Sequence, residues 1–269
     1  MSGFNVQVLW TFGETALIWV PTRHRPARIS LKTAHMIRKI SMGAVSGTST
    51  MSVTVVVTNY LRLANVQRLI DVLYKQTVTP TIFVWDNSPT QDFNDPRVSW
   101  LIRSSKNAYC VPRWWMAIHA ETDFVLVHDD DLMPLHPKVL AWTLEAAAKI
   151  APFAVGATGV ILKRHLGYWQ SQHVGLRSMR IRHDVRVDIV KGCYFCCPTQ
   201  RLTKVGHLDL DTEDDIAVSA KLGNGLEQPH QILSKLQNCF ELLPEGEEAR
   251  QRRPNHRTAR DAARWQFFR

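Results

Sequence analysis

The stretch FVLVHDDD, residues 124–131, places four apolar residues directly before a histidine and three aspartates. A short apolar run of this kind is typical of a strand buried on both faces of a sheet. Ligands of open α/β sheets gather at the carboxyl ends of the strands, where Asp129, Asp130 and Asp131 would lie. Three adjacent carboxylates repel one another unless a cation or basic groups compensate them. The stretch therefore predicts a divalent-cation site, and an acidic turn after a strand is the alternative.

Mg²⁺ and Mn²⁺ are the cations that such a site would hold. These hard ions accept one or two carboxylates and fill their remaining positions with phosphate oxygens and water. The cluster by itself thus indicates an enzyme with a diphosphate-containing substrate.

The rest of the chain from residue 51 alternates between strand and helix patterns. Strands are predicted at 53–57, 81–85, 98–102, 124–127, 154–163 and 185–196. Helices are predicted at 63–73, 112–120, 140–150 and 212–222. Strands that alternate with helices favour an α/β fold whose sheet is mainly parallel, with right-handed crossovers. The predicted strands at 53–57 and 81–85 should both be buried on two faces.

The length and charge of the chain limit its number of domains and the kind of partner it binds. The chain has 269 residues, enough for one large domain or two small ones, and a net charge of +9. Residues 1–50 form a basic extension that ends in a Gly/Ser/Thr-rich linker, and a poorly ordered tail and a functional arm both fit this composition. We place the catalytic domain at 51–269. The charge surplus favours a polyanionic partner such as nucleic acid.

The sequence shows no pattern of a membrane anchor or a signal peptide. The apolar stretch Val8–Val20 is interrupted by polar residues and is too short to span a bilayer. Five cysteines, an odd number, fit a reducing compartment. We therefore expect a cytoplasmic protein that is not secreted. A zinc site at Cys193, Cys196 and Cys197 is not expected, because no second pair of ligands follows at a suitable spacing.

A second acidic motif, TEDDIA, occupies residues 212–217. Thr212 could cap a helix with Asp215 as its capping-box partner, which is a purely structural role. Alternatively, Asp214 and Asp215 could face a reacting sugar and orient an acceptor hydroxyl or stabilise positive charge. The residues alone leave both interpretations open. Two interpretations also stay open for the arginines of 250–264 and of 177–186, which are either solvated or bind phosphate. The tryptophans at 114, 115, 169 and 265 either pack in the core or stack on ligands.

Seven segments follow one another in an order that is informative. They are Val57–Arg62, Val84–Asn87, Asn107 with Arg113, Val127–Asp131, Lys191–Phe195, Glu213–Ala217 and Asn255–Arg257. Taken together, they resemble the exostosin-like family of GT-A glycosyltransferases over about residues 53–265. The resemblance implies a single GT-A domain with a Rossmann-like mixed sheet flanked by helices. This chain departs from the family at Leu61, which displaces the Asn-Arg pair after the first strand, and in the wider spacing of Asn107 and Arg113.

The resemblance also implies roles for individual residues. Asp131 and Asp129 would bind the metal, and Asp215, supported by Asp214, would act at the acceptor. The nucleotide sugar, expected to carry UDP, would be bound by Thr58, Asn59, Arg62, Asp86, Asn87, Asn107, Arg113, Asp129, Asp130, His256 and Arg257. The family transfers its sugar with retention at the anomeric carbon, so retention is expected here.

The acceptor and two other functional classes stay open. A basic protein without an anchor could glycosylate double-stranded DNA with hydroxymethylated pyrimidines, as bacteriophage-type DNA modification enzymes do, with the base flipped outward. A glycan- or protein-directed transferase of inverting type is the alternative within the class. A nucleotidyltransferase would also carry carboxylates directly after a strand. The sequence of this chain, however, shows no counterpart of the Gly-rich loop that such an enzyme normally has. A non-catalytic DNA-binding protein would leave the three aspartates without a role.

Overall fold

A computed structural model of the protein describes residues 6–10, 16–19, 51–88, 93–243 and 255–268. The helices are α1 (Leu63–Leu73), α2 (Pro112–Ala117), α3 (Val139–Ile150), α4 (Thr199–Leu202), α5 (Asp214–Gly223) and α6 (His256–Phe267). The first strands are β1 (Val6–Trp10), β2 (Ala16–Trp19), β3 (Val53–Asn59), β4 (Thr81–Asp86), β5 (Trp100–Arg103), β6 (Phe124–His128), β7 (Leu132–Pro134) and β8 (Val155–Gly156). The later strands are β9 (Thr158–Ile161), β10 (Gln172–Gly175), β11 (Val185–Val187), β12 (Ile189–Val190), β13 (Tyr194–Pro198), β14 (His230–Ile232) and β15 (Phe240–Leu242).

The strands of the main sheet run in the order β11-β14-β8-β13-β6-β3-β4-β5-β1-β2. Strands β6, β3, β4 and β5 are mutually parallel, and β13 pairs antiparallel with β6. Two smaller sheets, β10-β9-β12 and β15-β7, lie beside it. The expected mixed α/β sheet is confirmed, and the parallel pairing brings the carboxyl ends of β3, β4 and β6 to one edge.

Strand β3 shows why its sequence forms a central strand. Its first five residues are all buried, and they alternate between two cores. Val55 packs into the core that contains α1 and α3, whereas Val56 packs into the core that contains α2 and α5. A strand with a hydrophobic layer on each face is rich in apolar, β-branched residues, and residues 53–57, four valines and Thr54, have this pattern. The same holds for β6, which is buried along its whole length.

Three of the predicted elements differ from the structure. Strand β4 is not buried on both faces, because its residues alternate between buried and half-buried positions. The single strand expected at 154–163 divides at Ala157 into β8 and β9, which belong to different sheets. The strand expected at 185–196 likewise divides into β11, β12 and the start of β13. Short apolar runs show no periodicity at such breaks, so the sequence does not reveal where a chain changes sheet.

Strands β1 and β2 were not expected. They form an antiparallel pair, and β1 runs parallel to β5 at the edge of the main sheet. The proposed boundary at residue 50 stays a prediction, and the linker, Pro89 and the arginines at 252 and 253 lie outside the described residues. Within residues 51–88, 93–243 and 255–268, none of the helices has both the length and the apolar character needed to cross a bilayer.

Candidate active site

A cavity of about 840 Å³ opens where β3, β4 and β6 end. It brings together most of the predicted site residues, namely Thr58, Arg62, Asn87, Asn107, Arg113, Asp129, Asp130, Asp131, Asp214, Asp215 and His256. Residues from distant parts of the chain complete its wall, including Tyr168, Trp169, His173, Arg177, Lys191 and Arg260.

Each carboxylate of the aspartate cluster faces an arginine. Arg113 donates from Nη1 to Asp129 Oδ1 at 2.6 Å. Arg62 forms a salt bridge with Asp130, and Arg177 lies 3.4 Å from Asp131 Oδ2. Burial nevertheless dominates over these partners and raises the pKa of Asp129 to about 6 and that of Asp130 to about 7.

His128, which precedes the cluster, belongs to the core and not to the cavity. It is fully buried against the rings of Tyr194 and Phe240. Burial lowers the pKa of His128 to about 4, so its ring is neutral and its Nδ1 donates to the Asp129 carbonyl oxygen at 2.8 Å. The histidine thereby fixes the backbone at the point where the acidic cluster begins.

The donor set of the cluster fits a hard divalent cation that is held mainly by its substrate. Asp130 Oδ2 and Asp131 Oδ1 are buried and have no hydrogen-bond partner in the described structure. Buried carboxylate oxygens without partners are costly, which favours a cation there. Within the described residues, no group of three or more His, Cys, Asp or Glu side chains converges on one point. A protein-only metal cage is therefore absent from this part of the chain, and the one or two carboxylates that Mg²⁺ or Mn²⁺ needs are present.

Arg113, which was expected to bind the phosphates of the nucleotide sugar, holds two carboxylates in this structure. It is buried, and its Nε and Nη2 donate to Asp214 Oδ2 at 3.1 and 2.8 Å, while its Nη1 donates to Asp129. The indole Nε1 of Trp114 donates to the same oxygen of Asp214 at 2.8 Å. Asp214 is therefore an anchor for Arg113 and Trp114, which fits the supporting role expected of it.

Asp215 is held by a second arginine. Its Oδ2 accepts from Arg260 Nη2 at 2.9 Å and from the backbone N–H of Gly192 at 3.3 Å, and its Oδ1 accepts from the N–H of Ile216 at 3.0 Å. Arg260 also donates to Glu213 at 3.0 Å and to the hydroxyl of Tyr168 at 2.8 Å. Helix α5 has Glu213 as its N-cap residue, so the N-cap expected at Thr212 lies one residue further along the chain. Asp215 is buried in the cavity wall at the start of this helix.

Gly192 lies close to both Arg113 and Asp215. A Cβ atom at this position would lie 2.2 Å from Nη2 of Arg113 and 3.5 Å from Cβ of Asp215. Only a residue without a side chain lets the Arg113 guanidinium reach Asp214. Although the motif around Gly192 was noted in the sequence, this steric reason appears only in the structure.

The residues at the ends of β3 and β4 divide into two groups. Thr58 lines the cavity, and its buried hydroxyl has no hydrogen-bond partner in the described structure. Asn87 also lines it, but its side chain is occupied in holding the loop after β5, through Ala108 N–H and the carbonyl oxygen of Tyr109. Asn59 and Asp86 do not line the cavity.

The structure shows Asn59 and Asp86 in a buried network, and a nucleotide-binding role for them stays a prediction. Both are fully buried, and Asn59 Nδ2 donates to Asp86 Oδ1 at 2.9 Å and to Ser88 Oγ at 3.2 Å. Ser88 Oγ in turn accepts from the N–H of Leu61, which has a φ of 58°. This network stabilises a left-handed turn that a leucine rarely adopts, and it sets the path of the loop that carries Arg62.

The C-terminal helix α6 forms one side of the cavity. Trp169 Nε1 donates to the carbonyl oxygen of Arg257 at 3.2 Å, and Tyr168 N–H donates to Asp261 Oδ1 at 2.6 Å. His256 lines the cavity as expected, whereas the Arg257 side chain does not and lies 5.6 Å from the Trp169 ring centroid. Tyr168 and His173 were missed by sequence reasoning, because they lie in an irregular region without a recognisable motif.

The chain was compared with known proteins. No family model and no curated protein matches it. Among solved structures it is similar to the mannosyltransferase PcManGT from Pyrobaculum calidifontis in complex with GDP-Man and Mn²⁺, with 16% identity over 80% of this chain and 64% of that chain and a TM-score of 0.50. It is also similar to GalNAc-T7 with UDP, GalNAc and Mn²⁺, with 10% identity over 73% of this chain and 44% of that chain and a TM-score of 0.51.

The chain has a GT-A fold. At these identities the similarity concerns the fold alone, and the chain spans less than two thirds of the length of either protein. Fold and function are separable, so an activity must be argued from the cavity and its residues.

Proposed function

We propose that this protein is a glycosyltransferase that moves a sugar from a nucleotide-sugar donor to a hydroxyl acceptor, with Mn²⁺ or Mg²⁺ as cofactor. The observation that carries this proposal is that Asp129, Asp130, Asp131 and Asp215 line the same cavity. A GT-A fold with this cavity at the carboxyl ends of β3, β4 and β6 supports the same activity. Both structural neighbours are glycosyltransferases by name and were solved with Mn²⁺.

The residues of the cavity have separate tasks in this proposal. Asp131 would hold the cation, with Asp129 as the other candidate ligand, and the bound cation would neutralise the charge of the leaving diphosphate. Thr58 and Asn107, which line the cavity, would bind the nucleoside, and Arg62 and Arg177 would leave the aspartates to bind phosphate oxygens.

In this proposal Asp215 would stabilise positive charge and would not act as a general base. Both of its oxygens already accept hydrogen bonds, and Arg260 and the N–H of Gly192 fix its orientation. A fixed carboxylate of this kind stabilises an oxocarbenium-like centre by its field. We therefore propose transfer with retention, as in the exostosin-like enzymes that the motifs resemble. The anomeric configuration of the product, measured by NMR, tests this point, and an inverted product would contradict it.

The activity is tested with a panel of UDP- and GDP-sugars in the presence of Mn²⁺. Release of the nucleoside diphosphate by the wild type is expected with at least one donor, and Asp131→Asn should abolish it. The matched control is Asp209→Asn, because the Asp209 side chain is 82% exposed and remote from the cavity wall. No release and no transfer with any donor, together with unchanged Mn²⁺ affinity in Asp131→Asn, would overturn the proposal.

For the acceptor, we propose double-stranded DNA with hydroxymethylated pyrimidines. The net charge of +9 supports a polyanion, and Trp169 at the cavity wall, 38% exposed, offers an aromatic face to a flipped base. The test compares a hydroxymethylated duplex with the unmodified duplex of the same sequence. Mass spectrometry should detect one added sugar only on the former, and duplex affinity should fall steeply with salt. Transfer to a neutral glycan but not to DNA would refute this acceptor and leave the donor proposal standing.

A further inference from the structure

The cavity is lined by equal numbers of basic and acidic side chains. The basic ones are Arg62, Arg113, Arg177, Lys191 and Arg260. The acidic ones are Asp129, Asp130, Asp131, Asp214 and Asp215. Every one of the four arginines forms a salt bridge with at least one of these aspartates. Lys191 is the exception: among the described residues, its ammonium forms no hydrogen bond and no salt bridge.

The position of Lys191 is fixed by the backbone on both sides. Its own N–H donates to the carbonyl oxygen of Thr158 at 2.9 Å, where β12 ends against β9. The N–H of the next residue, Gly192, donates to Asp215. The backbone of the lysine is thus held on both sides, and its side chain lines the cavity within reach of the charges of Arg177 and Arg260.

The surroundings of Lys191 disfavour an ammonium without a ligand. The side chain is half-buried, and burial together with the positive charges of Arg260 and Arg177 lowers its pKa. The carboxylate of Asp215, whose charge acts on Lys191, already accepts hydrogen bonds at both oxygens. An unpaired and partly desolvated cation costs stability, so its presence calls for an anionic partner that enters the cavity.

We propose that Lys191 binds a phosphate oxygen of the substrate. A lysine ammonium is a compact charge with three donors and is well suited to phosphate. This inference rests on the proposed function, because it assigns a partner within the same cavity. Two substrates carry the required group: the donor, through its diphosphate, and a DNA acceptor, through its backbone.

Binding measurements without turnover test the proposal. The probes are UDP and GDP with Mn²⁺, uridine as a phosphate-free control, and the hydroxymethylated duplex, all by titration calorimetry. Loss of one charge-assisted hydrogen bond in Lys191→Met should weaken binding of the phosphate-bearing probe roughly 10- to 100-fold and leave uridine unaffected. Lys191→Arg should retain most of the affinity. Lys75→Met, which removes an exposed lysine, is the matched control.

The outcomes separate the two sources and the competing explanation. Weaker binding of UDP or GDP assigns the donor diphosphate, and weaker binding of DNA alone assigns the acceptor phosphate. A purely structural lysine would instead lower the melting temperature of Lys191→Met and leave all affinities unchanged, which would overturn the proposal. We expect the melting temperature to stay constant or rise. If Asp131→Asn loses UDP binding but Lys191→Met binds UDP, GDP and the duplex as the wild type does, the inference is wrong and the proposed function stands; if the wild type binds neither nucleotide, both fail.

Discussion

Replacing Arg260 by methionine should destabilise the protein strongly, although the change removes a charged residue from a helix near the C-terminus. Methionine fills much of the volume of arginine but cannot donate hydrogen bonds. The substitution leaves the carboxylates of Glu213 and Asp215, both about 5% exposed, without their shared partner. It also removes the guanidinium that lies 4.3 Å from the ring centroid of Tyr168 and donates to its hydroxyl.

The expected magnitude follows from the burial of this cluster. Removal of one partner from a buried ion pair costs about 3–5 kcal/mol, because the remaining charge is left uncompensated. Here two carboxylates lose the same partner, so we expect the upper part of that range. A typical domain has a free energy of unfolding of about 5–15 kcal/mol. The variant should therefore keep only a fraction of the wild-type stability.

Urea denaturation followed by tryptophan fluorescence measures this difference. Arg260→Lys keeps the charge but cannot reach Glu213, Asp215 and Tyr168 together, so it should recover part of the loss. Arg164→Met is the control, because its salt bridge with Glu227 is fully exposed and its removal should have no measurable effect. Equal unfolding free energies for Arg260→Met and the wild type would refute the assignment of Arg260 as the residue that compensates both acids.

Three further predictions concern the cavity and the core. Gly192→Ala should push Arg113 away from Asp214 and destabilise the protein by about 1–3 kcal/mol; an unfolding free energy equal to that of the wild type would show that the guanidinium can move aside at no cost. Arg177→Met removes a cation 3.4 Å from Asp131 and should raise the affinity for Mn²⁺ without nucleotide by a few-fold, as measured by calorimetry; a lower affinity would speak against competition at Asp131. Burial lowers the pKa of His230 to about 4, below its unfolded value near 6.5, so its stabilising contribution is complete above pH 6.5 and is lost as the pH falls toward 4. The stability advantage of the wild type over His230→Gln should shrink by about 3 kcal/mol over that interval, and a constant difference would contradict the burial of a neutral ring.

The central part of the fold was predictable because its signal is local. Residues 53–57 are four valines and one threonine, and residues 124–127 are apolar throughout, as expected of strands with a core on each face. Helix α1 repeats its buried residues at three- and four-residue spacing, so its bounds agree with the prediction. The acidic cluster follows β6 directly in sequence, which made its place at the sheet edge predictable as well. Patterns of this kind depend only on neighbours a few residues away.

The partners of the site residues were not predictable, because they depend on contacts between distant segments. Arg113 and Asp214 are separated by 101 positions, and Arg260 and Asp215 by 45. No periodicity connects such pairs, so Arg113 was interpreted as a phosphate ligand. The buried network of Asn59 was not predictable for a similar reason: a polar residue at the end of a strand fits a ligand contact and a buried network equally well until the fold is known.

The arginine partners also change the argument for a metal at the aspartate cluster. In the sequence, mutual repulsion of three carboxylates was the reason to expect a cation. In the structure, the arginines at 62, 113 and 177 supply that compensation. Repulsion therefore no longer requires a metal, and the support for one moves to the oxygens that the arginines leave without partners, Asp130 Oδ2 and Asp131 Oδ1. A cation that binds there must compete with Arg62 and Arg177 for the same carboxylates. Since arginines displaced in this way are free to bind phosphate, binding of the cation and of the nucleotide should strengthen each other.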